Sequence, residues 1–287
     1  MLVVGRTGQL GRALQRARPD AVFLDRAALD LRWEDDAVRA ALDGAGPSVS
    51  GVIVAAAYTD VEGAEEDEDT AHLVNARAPG VIAQWCAERG IPLAFPSTDY
   101  VFDGSGGTPW QPGDAVGPLN AYGRSKLAGE RAVADSGACA AVLRTSWVYD
   151  STGRNFLTTM LNLSRAKDAL SVVSDQIGRP THADDLARAC LLAVEGRLSG
   201  VFHVSGGGPF TSWAGFARLA IQTAGHDCAV RDVPSAQYPT VAERPLNSRL
   251  DVSAFERAAG MPLPDWRARV ADAAQAWKLQ AALVPMQ

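Results

Sequence analysis

Tyr122-Gly-Arg-Ser-Lys126 places a phenol and an ammonium four residues apart. On a helix, positions i and i+4 stand on one face, one above the other. An ammonium held beside a phenol favours the phenolate and lowers a pKa that starts near ~10. The phenol can then exchange protons near neutral pH. The chain has five tyrosines and three lysines, so this spacing is rare by chance. The plain alternative is a tyrosine packed over a lysine stem. A second feature precedes it: Gly5-Arg-Thr-Gly8-Gln-Leu-Gly11, three glycines at G-x-x-G-x-x-G spacing.

Glycine lets backbone approach a pyrophosphate closely, and a helix that opens there offers its free N–H groups to the anion. The loop follows an apolar run and opens a helical pattern, which is the setting a dinucleotide fingerprint needs. Its spacing differs from G-x-G-x-x-G, so a tight turn would also account for it. Asp25 stands twenty residues after Gly5, where a carboxylate can hold an adenosine ribose 2′-hydroxyl and point to NADH. Arg26 follows directly and Arg6 lies in the loop. Either guanidinium suits a 2′-phosphate and points to NADPH, so the choice stays open on the residues.

These groups need elements to hold them. In the first half, short apolar runs alternate with helical stretches. Strands are expected at 2–4, 21–25, 52–57, 92–95 and 140–145, with helices at 11–18, 71–89 and 122–135. The acidic stretch 62–69 reads as a solvated helix start, where carboxylates suit the dipole. Apolar runs without polar alternation suit buried parallel strands, and intervening helices imply right-handed crossovers. Beyond Trp147 the pattern loosens. Helices are expected at 155–166, 183–194, 212–224 and 265–278, and strands at 170–174 and 201–204.

Composition narrows the function. Hydrophobic residues make 47% and charged residues 21% of 287, the balance of a soluble globular protein. The net charge of −6 gives no basic field for nucleic acid. No apolar run approaches the ~18 residues of a membrane span. Met1-Leu2-Val3-Val4 lacks the basic start of a signal peptide. Cys86, Cys139, Cys190 and Cys228 show neither metal nor disulfide spacing and suit reduced thiols, so a cytoplasmic location is expected. The four histidines, 72, 182, 203 and 226, are isolated and read as ordinary surface or core residues.

Further motifs run in one order along the chain: AAAYTDVEGAE from Ala55, STDYVFDG from Ser97, PLNAYGRSKLAGE from Pro118, RTSWVY from Arg144 and DQIGRPTHADDLA from Asp175. ERPLNSRLD from Glu243 and LPDW from Leu263 close the series. With the glycine loop and the Tyr/Lys pair, they resemble the extended short-chain dehydrogenase/reductases, and among them the dTDP-4-dehydrorhamnose reductase family, over nearly the whole chain. The resemblance implies an α/β fold: a Rossmann-type doubly wound parallel sheet with a smaller C-terminal α/β substrate domain. Residues 1–147 would bind NAD(P), with segments near 170–208 returning to that domain, and 148–169 and 209–287 would bind substrate.

The resemblance also implies roles. Gly5, Gly8, Gln9, Leu10 and Gly11 would line the pyrophosphate. Asp25 and Arg26 would face the adenosine ribose, and Asp30 and Leu31 the adenine. Ala57, Tyr58 and Thr59 would pass beside the cofactor, which would be NADPH, with NADH also accepted. Tyr122 and Lys126 would hold the nicotinamide ribose and, with Thr98, run the proton chemistry. Thr98, Asp99, Tyr100, Trp147 and Asn155 would line a dTDP-sugar site. A homodimer is compatible, and Mg2+ is allowed with no ligands assigned.

Where the family usually has Asn and Lys, this chain has Val54 and Gly63, which leaves a related deoxysugar-nucleotide 4-ketoreductase of a secondary pathway as an alternative. The fold's dehydratases carry Glu where Tyr100 stands, which argues against dehydration. Its epimerases remain a further alternative. So does a non-catalytic subunit like the regulatory subunit of methionine adenosyltransferase, against which the intact Thr98, Tyr122 and Lys126 argue.

Overall fold

A computed structural model describes residues 1–46 and 48–283. The first half runs β1 (Leu2–Val4), α1 (Gln9–Ala17), β2 (Val22–Leu24), α2 (Asp35–Gly44), β3 (Val52–Val54), α3 (Val61–Glu66), α4 (Glu68–His72), a π-helical turn (Leu73–Arg77), α5 (Ala78–Glu88), β4 (Leu93–Thr98), α6 (Ala121–Asp135) and β5 (Ala140–Thr145). The second half runs β6 (Val148–Tyr149), α7 (Phe156–Ser164), β7 (Ala169–Val173), β8 (Ile177–Gly178), β9 (Thr181–His182), α8 (Ala183–Glu195), β10 (Gly200–His203), β11 (Thr211–Ser212), α9 (Trp213–Ala224), β12 (Ala229–Val233), α10 (Ser253–Ala259) and α11 (Trp266–Leu283).

Six strands form one parallel sheet in the order β10-β5-β4-β3-β1-β2. β1, β3 and β5 are buried along their whole length, as their unalternating apolar sequences require when helices cover both faces. Val3, Ile53, Ala94 and Leu143 point to one face, against Leu14 of α1 and Leu186 of α8. Leu2, Val52, Leu93 and Val142 point to the other, against Val38 of α2 and Ile82 of α5. β2 and β3 lie on opposite sides of β1. Connections diverge there, and a crevice opens beyond the carboxyl ends of the strands.

The C-terminal half builds a second, aromatic core around Tyr149, Leu161, Phe216, Trp266 and Val270. Helix ends are set by local chemistry. Asn120 accepts from Gly123 N–H at the start of α6, Ser212 does the same for Gly215 at α9, and Gly225 ends α9 at φ +73.

Several expected boundaries shift for physical reasons. β3 stops at Val54 because the amides of Ala55 and Ala56 both donate to Val4 O at 2.8 Å, turning the chain out of the ladder. The single helix expected at 71–89 is three segments, with the π-helical turn in the middle. α1 opens at Gln9, so the pyrophosphate loop is shorter than expected. The strand expected to return near 170 does not join the main sheet: β7 pairs with β12. The return begins with α8 and is completed by β10 beside β5. α2, β12 and α10 carry no strong sequence signal and were not expected.

Candidate active site

A cleft of about 890 Å³ runs along the carboxyl ends of the sheet. At one end α1 opens on Gly8, which has no side chain to cap an N–H, so the first turn offers free donors. Gly5 needs its φ of +102, and a Cβ there would sit 2.5 Å from Ala56 N. At Gly8 a Cβ would meet nothing within 4 Å, so the backbone faces open cleft. This cradle fits a pyrophosphate. Gly11 is not part of the lining; its bare Cα packs against Gly5 O and Arg6 O, letting helix meet loop.

Asp25, Arg26, Asp30 and Leu31 all line the cleft at the end where β2 leaves the sheet. Asp25 Oδ1 accepts from Ala27 and Ala28 N–H at 3.0 and 3.1 Å, which fixes the turn after β2. Asp30 takes the Arg32 guanidinium at 2.6 Å and Arg26 Nε at 3.2 Å. Hydrogen bonding from Arg32 is the main reason its carboxyl lies far below the usual range. Arg26 remains mostly exposed, with its terminal nitrogens unbonded to protein among the described residues.

Ala57, Tyr58 and Thr59 border the middle of the cleft. Their course is held by Asn75, which the sequence reading missed. Its side chain accepts from Tyr58 N–H and donates to Tyr58 O, both at 2.9 Å, and donates to Ser125 Oγ at 3.0 Å. Asn75 stands in the π-helical turn, a distortion that often marks functional positions.

The far end gathers Thr98, Asp99, Tyr100, Tyr122, Lys126 and Trp147. β4 ends at Thr98, whose hydroxyl accepts from Tyr100 N–H at 3.2 Å and donates to Asp99 Oδ1 at 3.3 Å. α6 carries Tyr122 and Lys126 on the face turned to β4. Tyr100 meets Tyr122 edge-on, ring centroids 5.8 Å apart. Lys126 is buried; its Nζ donates to Pro96 O at 2.8 Å and sits 4.1 Å above the Phe95 ring.

The electrostatics correct one expectation. Tyr122 is not acidified by Lys126: burial pushes its phenol up to about 12, against a smaller downward pull from the Thr98 hydroxyl. Burial pulls the Lys126 ammonium down to about 7, with Glu130 opposing. Asp99 is pushed up to about 7, again by burial, with Ser248 and Thr98 hydroxyls pulling the other way. The site therefore holds a protonated phenol and two groups poised near neutrality.

Trp147 lies stacked on Trp213, ring centroids 3.9 Å apart, and both line the cleft. Trp147 adopts φ +52, an uncommon conformation for a bulky residue. Trp213 was not foreseen, because only the fold brings α9 to β6. Asn155 departs from its expected role and is not part of the lining. It caps α7 in a reciprocal box with Thr158, and its Nδ2 donates to Asp150 O and Thr152 O. Its amide is spent shaping the loop, which instead presents the neighbouring Arg154 to the cleft. A cap before an apolar run was a readable signal. Among the described residues, no three His, Cys, Asp or Glu side chains converge as a metal site, and no helix is long and apolar enough to cross a membrane.

The arrangement can donate a proton to an oxygen placed between Tyr122 and Thr98, beside a dinucleotide cradle. Known proteins resemble the chain over nearly its whole length. A dTDP-4-dehydrorhamnose reductase of Sinorhizobium fredii is 41% identical over 280 residues, covering 93% of each chain. The crystal structure of a Clostridium acetobutylicum dTDP-4-dehydrorhamnose reductase superposes with a TM-score of 0.91 at 34% identity, over 97% of this chain and 99% of that one. A Bacillus anthracis dTDP-4-dehydrorhamnose reductase solved in complex with NADP gives 0.88 at 31%, over 97% and 98%. The family model described as the RmlD substrate binding domain matches residues 1–279, and with these relatives it shows that the chain belongs to the dTDP-4-dehydrorhamnose reductase family.

Proposed function

We propose that the protein reduces the 4-keto group of a dTDP-4-dehydro-6-deoxy sugar, dTDP-4-dehydro-L-rhamnose, to the alcohol of dTDP-L-rhamnose, with NADPH as the preferred reductant. The observation that carries this is the meeting of Tyr122, Lys126 and Thr98 at the end of a dinucleotide cleft, in a chain of this family. The reduced nicotinamide, when bound, supplies hydride to the ketone carbon. Negative charge then grows on the ketone oxygen. The Thr98 hydroxyl hydrogen-bonds that oxygen, and the Tyr122 phenol gives it a proton. The direction suits the site, because a phenol pushed up to about 12 is protonated at neutral pH and ready to donate. Lys126, at the same end of the cleft, would hold ribose hydroxyls of the bound nicotinamide nucleotide. Asp99, at the end of β4 in the cleft lining, would take a sugar hydroxyl. Trp147 and Trp213 form an apolar wall for the sugar nucleotide.

The free terminal nitrogens of Arg26 suit a 2′-phosphate, and the NADP bound by the Bacillus anthracis relative supports the same preference. Asp25 keeps one carboxylate oxygen for a 2′-hydroxyl, so NADH should also serve. The test is a panel of nucleotide 4-keto sugars with each reductant, followed by loss of the reduced nicotinamide absorbance. Turnover should be fastest with dTDP-4-dehydro-L-rhamnose and NADPH. Equal or faster turnover of another keto sugar would move the reading to that sugar, and no turnover of any would end it.

A further inference from the structure

α6 carries a third functional rung below the two already described. Tyr122, Lys126 and Glu130 follow at steps of four and share one helix face. The last three residues of β4 between them meet all three rungs. Thr98 faces Tyr122, Pro96 O accepts from Lys126 Nζ at 2.8 Å, and Ser97 Oγ donates to Glu130 Oε1 at 2.5 Å. Glu130 is buried and also takes Arg144 of β5, Nε to Oε1 at 3.0 Å and Nη2 to Oε2 at 2.7 Å. Its carboxylate thus joins one helix and two strands behind the reacting groups. We propose that Glu130 is a positioning residue for the reduction: it locks α6 to the end of β4, fixing Tyr122 and Lys126 against Thr98, and provides the counter-charge for the Lys126 ammonium.

A purely structural role explains the geometry less well. Two charges buried together are a weak source of stability, since desolvation offsets most of their attraction. The location has a specific consequence instead. β4 carries both the Lys126 acceptor and the Thr98 hydroxyl, so a slip between β4 and α6 would separate all three reacting groups at once. Electrostatics point the same way. Burial weakens the Lys126 ammonium, and Glu130 is the charge that opposes this. Tyr122 and Asp99 share the cleft lining with Lys126, and Arg144 on β5 lies on the far side of Glu130. Arg144 is like-charged, and the π-helical turn contributes the neutral Asn75.

The proposal rests on the reductase reading for its kinetic part, but Lys126 can be observed without turnover. The chain has three lysines, 126, 167 and 278. Replacing Lys167 and Lys278 with arginine in 13C-lysine-labelled protein leaves one side-chain signal to titrate. In Glu130→Gln the Lys126 midpoint should fall by about one pH unit, the size of a lost neighbouring charge. The alkaline limb of kcat should move down with it, and kcat itself should drop about tenfold, in the range of misplaced catalytic groups. Glu130→Gln leaves Arg144 unpaired and can unfold the protein, so Glu130→Gln with Arg144→Met is the second variant. It should recover wild-type thermal stability yet keep a lowered Lys126 midpoint and a lowered kcat. Removing Arg144 alone can only raise that midpoint, so a fall in the double variant belongs to Glu130. A folded variant with wild-type midpoint, limb and kcat would overturn the proposal and leave Glu130 as a fold-holding residue. If the wild-type protein reduces no keto sugar, the reductase reading fails and the titration alone decides whether Glu130 governs Lys126.

Discussion

Tyr122 and Asp99 show how burial assigns roles to residues of ordinary chemistry. Tyr122 keeps its proton well above neutral pH, which suits the acid role proposed for it. Tyr122→Phe removes the proton and little else. It should leave the NADPH dissociation constant within a few-fold of wild type while kcat falls at least about a hundredfold, the usual scale of lost acid catalysis. Near wild-type kcat on the true substrate would exclude Tyr122 as donor. Asp99 is raised by burial to about 7 from an ordinary value of 3.8. Below pH ~4 both folded and unfolded forms hold the proton and nothing is lost. Between there and about 7 the unfolded chain ionises while the folded one resists, so stability falls as pH rises, and the full penalty applies above 7. Asp99→Asn should therefore raise the thermal midpoint at pH 8 and give little gain at pH 4, while weakening sugar binding. Equal gains at both pH values would mean the carboxyl is not the source.

At the scale of elements, one distorted turn does much of the positioning. The π-helical turn swings Asn75 inward, where it satisfies both backbone groups of Tyr58 and reaches Ser125 on α6. Asn75→Ala would leave the half-buried N–H and C=O of Tyr58 unpaired, toward the low end of about 1–3 kcal/mol each. The expected outcome is a loss of roughly 2–4 kcal/mol in denaturant unfolding and a raised KM for NADPH, because the 57–59 loop lines the cleft proposed for the cofactor. Wild-type KM would show that the loop keeps its course unaided. This turn also marks where sequence reading ends. The spacing of Tyr122 and Lys126, the glycine loop and the both-face apolar strands are local patterns, and the structure keeps them. The π turn is not local: a helical reading of 71–89 is correct in type and blind to the extra residue. β12 is mostly exposed and lacks an apolar signature. The partner of β7 lies sixty residues away in β12. The direction of the Tyr122 shift was misread for a related reason. Spacing along α6 gives the neighbour, but only the packed tertiary structure gives the burial that outweighs it. Asn155 was an error of a different kind, since its capping position was legible and its amide was already committed.

The whole molecule depends on a contact between its two halves near the mouth of the site. Glu62 on α3 reaches the C-terminal segment 241–244: its Oε2 accepts from Val241 N–H at 2.8 Å and Ala242 N–H at 3.2 Å, and its Oε1 pairs with Arg244 at 2.6 Å. Asn120, the cap of α6, donates to Glu243 O at 2.7 Å. The segment is thus tied to α3 and to the start of the helix that carries Tyr122 and Lys126, with the Arg244 charge beside Tyr100 in the cleft. The residues proposed for the cofactor, from Gly5 to Leu31 and at 57–59, line another stretch of the same cleft. Glu62→Ala should therefore act on the sugar half alone. Its side chain is 38% exposed, so solvent screens the ion pair, and a stability loss of about 1 kcal/mol is expected. The functional effect should be larger: KM for the dTDP-sugar raised several-fold, with the NADPH dissociation constant unchanged. Glu62→Gln keeps an oxygen for the Val241 and Ala242 amides and should recover part of that KM, because only the Arg244 charge contact is lost. Saturation kinetics for both ligands in the three proteins decide the matter. A variant that weakens both ligands equally would mean the contact supports the fold as a whole, and unchanged KM for the sugar would mean that the 241–244 segment does not shape the substrate site.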